Sequence, residues 1–262
     1  MPWFAKVYRD VAQLPRERAA VELAEYARHG AVPVPAVRRT VDGDLVEAGG
    51  RLRMSLWEYI PDVHTAEGAM TNDRWRPVGE AVGRPHRRLA EHPAARSELR
   101  AGSVVCDLRT NRARHERPIA AYGRKPALGG FEAWALEAAR ERQGLWGKLG
   151  RILDRLPELT FPVLHGALAS PNLLLHGAQV AAIIDFQPPN PRYAAWEIAR
   201  IACLLGWEAW LSGLSELLDA YQDARPAARR SVGRAPPGAL RAGRSRRAWP
   251  RSPPRGQRAD LR

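Results

Sequence analysis

The chain has 262 residues, 45% of them hydrophobic, and a formal net charge of +13. That length allows one large domain or two small lobes, and no apolar run reaches the roughly 18–20 residues needed to span a bilayer. The charge does not mark the whole chain as a nucleic-acid binder: twelve arginines and one acid in residues 225–262 hold +11 of the +13, leaving +2 for residues 1–224.

The opening run WFAKVYRD alternates with a period of two, so a strand is expected, with Phe4, Lys6 and Tyr8 on one face. Residues 15–29 carry helical apolar spacing; Pro15 suits a first turn and Gly30 supplies the stop. After the link VPVP, the runs AVRRTV and RLRMSLWEYI read as two strands with an Asp42-Gly43 turn between them, the second ended by Pro61. From about residue 72 the pattern becomes helical. One helix is expected at about 73–91, broken or bent at Pro85, and another at about 131–155. A hairpin follows, NLLL and VAAIIDF around a His176-Gly177 turn, and its second strand is apolar enough to be buried on both faces. Helices return at about 193–204 and 207–223. Beyond 225, Arg, Pro, Gly and Ser dominate. Such a stretch buries too little to offset its ordering entropy, and disorder is expected.

The N-terminal residues MPWFAKVYRD lack a secretory pattern, so a cytoplasmic location is expected. Cys106 and Cys203 fit no metal spacing and are expected as reduced core thiols. The tail carries one aromatic residue, Trp249, so base stacking is not expected, and neither nucleic acid nor a membrane is an expected partner. No protein partner is indicated.

The chemistry concentrates in HGALASPNLLL and AAIIDF. Pairing the two strands across the His176-Gly177 turn brings Asn172, at the start of the first, close to Asp185, at the end of the second. An amide oxygen and a carboxylate side by side suit Mg²⁺, which takes a few protein oxygens and fills its remaining sites with water and phosphate. Asp185 is also the lone acid of an apolar run, and a buried carboxylate requires a partner. A metal ion or a buried arginine would serve.

These residues resemble the catalytic loop and metal strand of the aminoglycoside phosphotransferase and choline kinase group, whose loop reads His-Gly-Asp, four residues, Asn, followed after a hairpin by Ile-Asp-Phe or Ile-Asp-Trp. His165, Gly166, Asn172, Ile184, Asp185 and Phe186 match. The resemblance, over about residues 3–223, implies an α+β, bilobal, protein-kinase-like fold. Residues 1–61 would form a truncated nucleotide-binding N-lobe, a small antiparallel sheet plus one helix. Residues 62–224 would form a mainly helical C-lobe carrying the catalytic loop and metal hairpin, with the Arg/Pro-rich tail beyond. It also implies roles. FAKVY resembles the strand of the ATP-binding lysine, so Lys6 would hold the α- and β-phosphates, and Glu22 would pair with it. SLWEYIPD resembles the hinge that touches adenine, which places Glu58, Tyr59 and Ile60 there. Asn172 and Asp185 would hold Mg²⁺. His165 would brace the catalytic loop, His86 would pack a helix, and Glu197 would take the place of an aspartate that steadies the loop.

The chain departs from the family at the base position, where Ala167 replaces the aspartate. A methyl group accepts no proton, and general-base assistance is worth about 10²–10⁴ in rate. The family also implies two strands and a phosphate-covering loop before Lys6, and further helices after residue 223; a wrong start and a shifted reading frame near residue 231 are the expectations for these. The function expected is ATP-dependent phosphoryl transfer to a small hydroxyl compound, such as an amino sugar or amino alcohol, with the step impaired in this chain. The alternatives are a non-catalytic nucleotide-binding module and a truncated remnant.

Overall fold

The computed structural model describes residues 2–49, 52–67, 70, 73–95, 98–203 and 207–224, without the side chains of 202–212. The tail expected to be disordered lies outside the described residues, as does the side chain of Cys203. Cys106 is a free thiol, half-buried rather than in the core.

The fold is α+β and bilobal. The N-terminal lobe contains β1 (Trp3–Val7), α1 (Leu14–His29), β2 (Val37–Arg38) and β3 (Met54–Glu58). Its sheet is antiparallel in the order β1-β3-β2, with Lys6 opposite Ser55 and Phe4 opposite Trp57. Helix α1 starts with Pro15 in its first turn and buries Ala20, Val21, Leu23, Ala24 and Ala27, a stripe at helical spacing. Val21 meets Tyr8 and Val46 in a small core, which Trp57 joins from the sheet. Ser55 ties the strands together: its hydroxyl accepts the Trp57 indole N–H at 2.7 Å and lies 2.7 Å from the Tyr8 hydroxyl.

The C-terminal lobe follows with β4 (His64–Thr65), α2 (Trp75–Leu89), β5 (Leu99–Ala101), α3 (Leu108–Gly123), α4 (Gly130–Gln143), α5 (Trp146–Leu153), β6 (Glu158–Thr160), β7 (Leu173–His176), β8 (Gln179–Ile183), α6 (Ala194–Cys203) and α7 (Trp207–Ala224). Helix α2 runs through Pro85 without the break that was one of the two outcomes expected there. The single helix expected over 131–155 is two, α4 and α5, divided at Gly144. The hairpin forms as expected around Gly177, whose φ of +60° suits glycine, and β7 also pairs with β4. Only Ala182 and Ile183 of β8 are fully buried, so the expectation of burial along the whole strand is too strong. The Ile183 N–H donates to the Pro33 carbonyl at 2.7 Å, tying the hairpin to the first lobe.

Helices α2 and α7 form the centre of the core. Trp75, Val78, Val82 and Leu89 of α2 pack with Leu217 and Tyr221 of α7 and with Leu173, Leu175 and Ile183 of the hairpin. Glycines set this packing. A Cβ built on Gly79 would lie 2.2 Å from the Leu217 carbonyl oxygen, and one on Gly213 would lie 2.0 Å from the Trp75 ring. Gly79→Ala is therefore expected to destabilise the fold by about 1–3 kcal/mol, despite the roughly 1 kcal/mol that alanine gains over glycine in helix propensity. Gly123→Ala, whose Cβ would meet nothing within 4 Å, is the control and should be neutral or slightly stabilising. Urea denaturation midpoints compare the two; an unchanged midpoint for Gly79→Ala would mean that the helices separate at no cost.

Candidate active site

A cavity of about 560 Å³ lies between the lobes. Its apolar wall includes Val21, Val34, Leu174 and Ile183, and its polar end holds Lys6, Glu17, Asn172 and Asp185. Glu58, Tyr59 and Ile60 line it at the crossing between lobes. There the N–H groups of Glu58 and Tyr59 donate to the carbonyls of Ala36 (2.8 Å) and Pro2 (3.4 Å).

Lys6 Nζ lies 3.3 Å from Glu17 Oε2 and 3.3 Å from Asp185 Oδ1. Burial lowers the Lys6 pKa, but the Glu17 and Asp185 charges outweigh it and hold the ammonium above its ordinary value. Glu22 does not make the expected pair; it is exposed. The reason is helical phase. Glu17 lies one turn before Ala20 and Val21, which line the cavity, whereas Glu22 lies a further 100° around the helix from Val21. Asp185 also differs from expectation, since its side chain is 46% exposed and its partner is a lysine.

The backbone at Asp185 has φ +64°. Left-handed geometry costs a non-glycine residue about 1–2 kcal/mol, although aspartate tolerates it better than most. It turns the chain sharply just after β8, where Asp185 lines the cavity. Asn172 is anchored by its own loop: its Nδ2 donates to the Ala167 carbonyl at 2.9 Å, leaving its Oδ1 as the remaining acceptor. Together Asn172 and Asp185 supply two oxygen donors at one end of a cavity with room for a polyphosphate, which fits the donor set Mg²⁺ uses. Among the described residues there is no cluster of three or more His, Cys, Asp and Glu that would hold a metal by itself.

The segment around His165–Ala167 is braced from below. His165 is fully buried; its Nε2–H donates to the Ile184 carbonyl at 3.0 Å and its Nδ1 accepts the Ala167 N–H at 3.2 Å. Gly166, at φ +89°, leaves no room for a side chain, because an added Cβ would lie 2.6 Å from Gln187 Cβ. The Gly166 N–H donates to Glu197 Oε1, and His86 Nε2 lies 2.8 Å from Glu197 Oε2. Burial pushes the Glu197 carboxyl up, but the hydrogen bond and charge of His86 outweigh it and hold it below the usual carboxylate range. An ionised carboxylate only accepts, so His86 Nε2–H is the donor, and Nδ1 faces the Tyr221 hydroxyl at 3.1 Å. His86 thus joins α2 and α7 to the loop as well as packing a helix.

Burial pushes the His165 pKa down to about 4. Between that value and its ordinary 6.5, the unfolded chain binds the proton that the folded chain refuses, so stability rises with pH across this window. About 3 kcal/mol is lost as pH falls from 6.5 to 4. Glu197 acts in the same direction lower down, its stabilisation disappearing as pH falls through its depressed folded value. Denaturation midpoints should fall steadily between pH 6.5 and 4.5. A flat profile there would contradict a buried neutral imidazole.

Ala167 opens onto a second cavity of about 440 Å³, lined also by Arg16, Gly166, Gln187, Asn190 and Arg192. Of the expected site residues, Lys6, Glu58, Tyr59, Ile60, Asn172 and Asp185 thus share the first cavity, Ala167 faces the second, His165 lies beneath the loop and Glu22 stands apart. Glu17, Arg16 and Arg192 were not anticipated. Away from both cavities, Asp107 caps α3 through the Thr110 N–H, and Glu132 pairs with Lys125.

A model of the phosphotransferase enzyme family matches residues 1–232. Among curated proteins no match is found. Three solved structures illustrate the likeness. A glucosamine kinase has a TM-score of 0.50 at 14% identity over 80% of this chain. An aminoglycoside phosphotransferase from Alicyclobacillus acidocaldarius has 0.56 at 14% over 87% of this chain and 68% of its own. A spectinomycin phosphotransferase, in complex with ADP and spectinomycin, has 0.57 at 10% over 85% of this chain and 67% of its own. The chain spans 57% of the glucosamine kinase it matches. At these identities the likeness is one of fold.

Proposed function

The chain belongs to the phosphotransferase enzyme family, and from that premise we propose that it is built as an ATP-dependent small-molecule phosphotransferase whose chemical step is impaired by Ala167. One observation carries this reading: Lys6, Asn172, Asp185 and the crossing segment 58–60, far apart in sequence, line a single cavity between the lobes. The apolar wall around Val34 and Leu174 suits a purine ring, with the backbone of 58–60 at its polar edge. Lys6 would hold phosphate oxygens, and Glu17 would keep its ammonium aimed at them.

Asn172 and Asp185 would hold Mg²⁺, which when bound neutralises phosphate charge. The remaining work falls to the chain's own groups. His165, Gly166 and Glu197 fix the loop that carries position 167, so an acceptor hydroxyl in the second cavity would be presented toward the nucleotide. In the step, the acceptor O–H bond breaks, an oxygen–phosphorus bond forms to the γ-phosphate, and the bond to ADP breaks. Ala167 has no atom to receive the proton, which must pass to water. That same observation favours a second reading, a non-catalytic module that binds nucleotide and transfers nothing.

The test is a calorimetric titration with ATP, with and without Mg²⁺, of the full chain and of Asp185→Asn. Magnesium-dependent binding lost in the variant supports the reading; no binding to the full chain would overturn it. Among the described residues no helix is long and apolar enough to cross a membrane.

A further inference from the structure

We propose that the second cavity takes an anionic acceptor: an alcohol that also bears a carboxylate or a phosphate, not a polycationic amino sugar. The inference rests on the nucleotide reading above and narrows its substrate class.

The cavity's charge points this way. Arg16 and Arg192 line it, and no acid does. The nucleotide cavity is lined by Lys6 with Glu17, Glu58, Asp62 and Asp185, so the two sites have opposite character. Neither arginine has an ion pair among the described residues; the one side-chain contact is Arg16 Nη1 to Gln13 Oε1, a long 3.4 Å. Both arginines are exposed, so their donors remain open to a ligand. They approach from different elements, Arg16 from the first turn of α1 and Arg192 from the segment just before α6. Consecutive residues of α1 serve the two cavities, Arg16 facing the second and Glu17 the first.

Guanidinium groups present planar forks of donors that match a carboxylate or phosphate. Two of them beside one small cavity repel ammonium groups. The amides of Gln187 and Asn190 supply neutral donors and acceptors suited to the ligand's hydroxyls. Ala167 lies on the same wall, which sets the reacting hydroxyl beside the base position.

The experiment uses the full chain saturated with Mg²⁺ and a non-hydrolysable ATP analogue, so that the γ-phosphate position is filled. Glycerol 3-phosphate, glycerate, glycerol and glucosamine are then titrated in parallel by NMR. Glycerol 3-phosphate or glycerate is expected to bind at least tenfold more tightly than glycerol or glucosamine. The difference between the two anions identifies which head group the arginines prefer. The double variant Arg16→Gln, Arg192→Gln should lose at least tenfold in anion affinity while still binding the nucleotide analogue. The arginines of the tail are present in both proteins and cancel in that comparison. Tighter binding of glucosamine, or anion binding indifferent to the two arginines, overturns the inference and leaves the nucleotide reading standing. Failure of the analogue itself to bind overturns the nucleotide reading, and the inference falls with it.

Discussion

Asp185→Asn is expected to weaken Mg-ATP binding about a hundredfold and to abolish its dependence on magnesium. Asparagine is the informative substitution here. It keeps the size of the side chain and tolerates the left-handed backbone at φ +64°, so the fold is little disturbed. What it removes is one negative charge at the polar end of the cavity. At an effective dielectric of about 20, a unit charge about 4 Å from a single positive charge contributes about 4 kcal/mol. Water filling the vacated coordination position recovers part of this, which leaves a loss near a hundredfold. The sign of the metal-free case is the sharper check. Asp185 repels ATP that carries no metal and also holds Lys6 at 3.3 Å. Removing its charge relieves the repulsion and releases the ammonium to the phosphates. Metal-free ATP should therefore bind the variant as well as or better than it binds the native chain. Titrations in magnesium and in a chelator give all four affinities. If the variant binds Mg-ATP as tightly as the native chain, Asp185 is an ion-pair partner and nothing more.

How much of this site could be read from residues alone follows contact range. The hairpin is local: its pairing spans residues 173–183 around one His176-Gly177 turn, and the apolar run announces it. Asn172 and Asp185 were brought together by that logic. The pair β5 and β6 is the opposite case, three residues each, joined across the whole stretch between Leu99 and Thr160. No period is legible in three residues. Helix α3 was missed because it buries none of its residues and so has no apolar stripe, while Pro118 argues against a helix. Glu17 was within reach. The buried positions Ala20, Ala24 and Ala27 define the inward face of α1, and Glu17 extends that face by one turn, where Glu22 does not. The second cavity was not legible, because Arg16 and Arg192 meet only through the fold and arginine is too common in this chain to stand out.

Ala167→Asp is the complementary experiment, because it adds what the loop lacks and touches little else. Ala167 is fixed by two hydrogen bonds of its backbone, the N–H to His165 Nδ1 and the carbonyl from Asn172 Nδ2, so a new side chain leaves both in place. It faces the second cavity and does not line the first, so Mg-ATP affinity should stay within about threefold of the native chain, under 1 kcal/mol. Turnover should change far more. A carboxylate able to accept the hydroxyl proton and orient the oxygen is expected to raise kcat/KM by about 10²–10⁴, or roughly 3–5 kcal/mol of barrier. The gain should require the metal end of the site, so adding Asp185→Asn to the restored chain should cancel it. It should also require an ionised base and vanish under acid conditions, where His165 and Glu197 already weaken the fold; the comparison therefore belongs near neutral pH. Single-turnover measurements with ATP and the acceptor bound most tightly in the second cavity supply the rates. A rate rise with unchanged nucleotide affinity would establish an intact scaffold lacking one carboxylate. Unchanged turnover in a chain that still binds Mg-ATP would favour the binding-module reading, since the loop would then hold the proton acceptor at the wrong distance from any substrate.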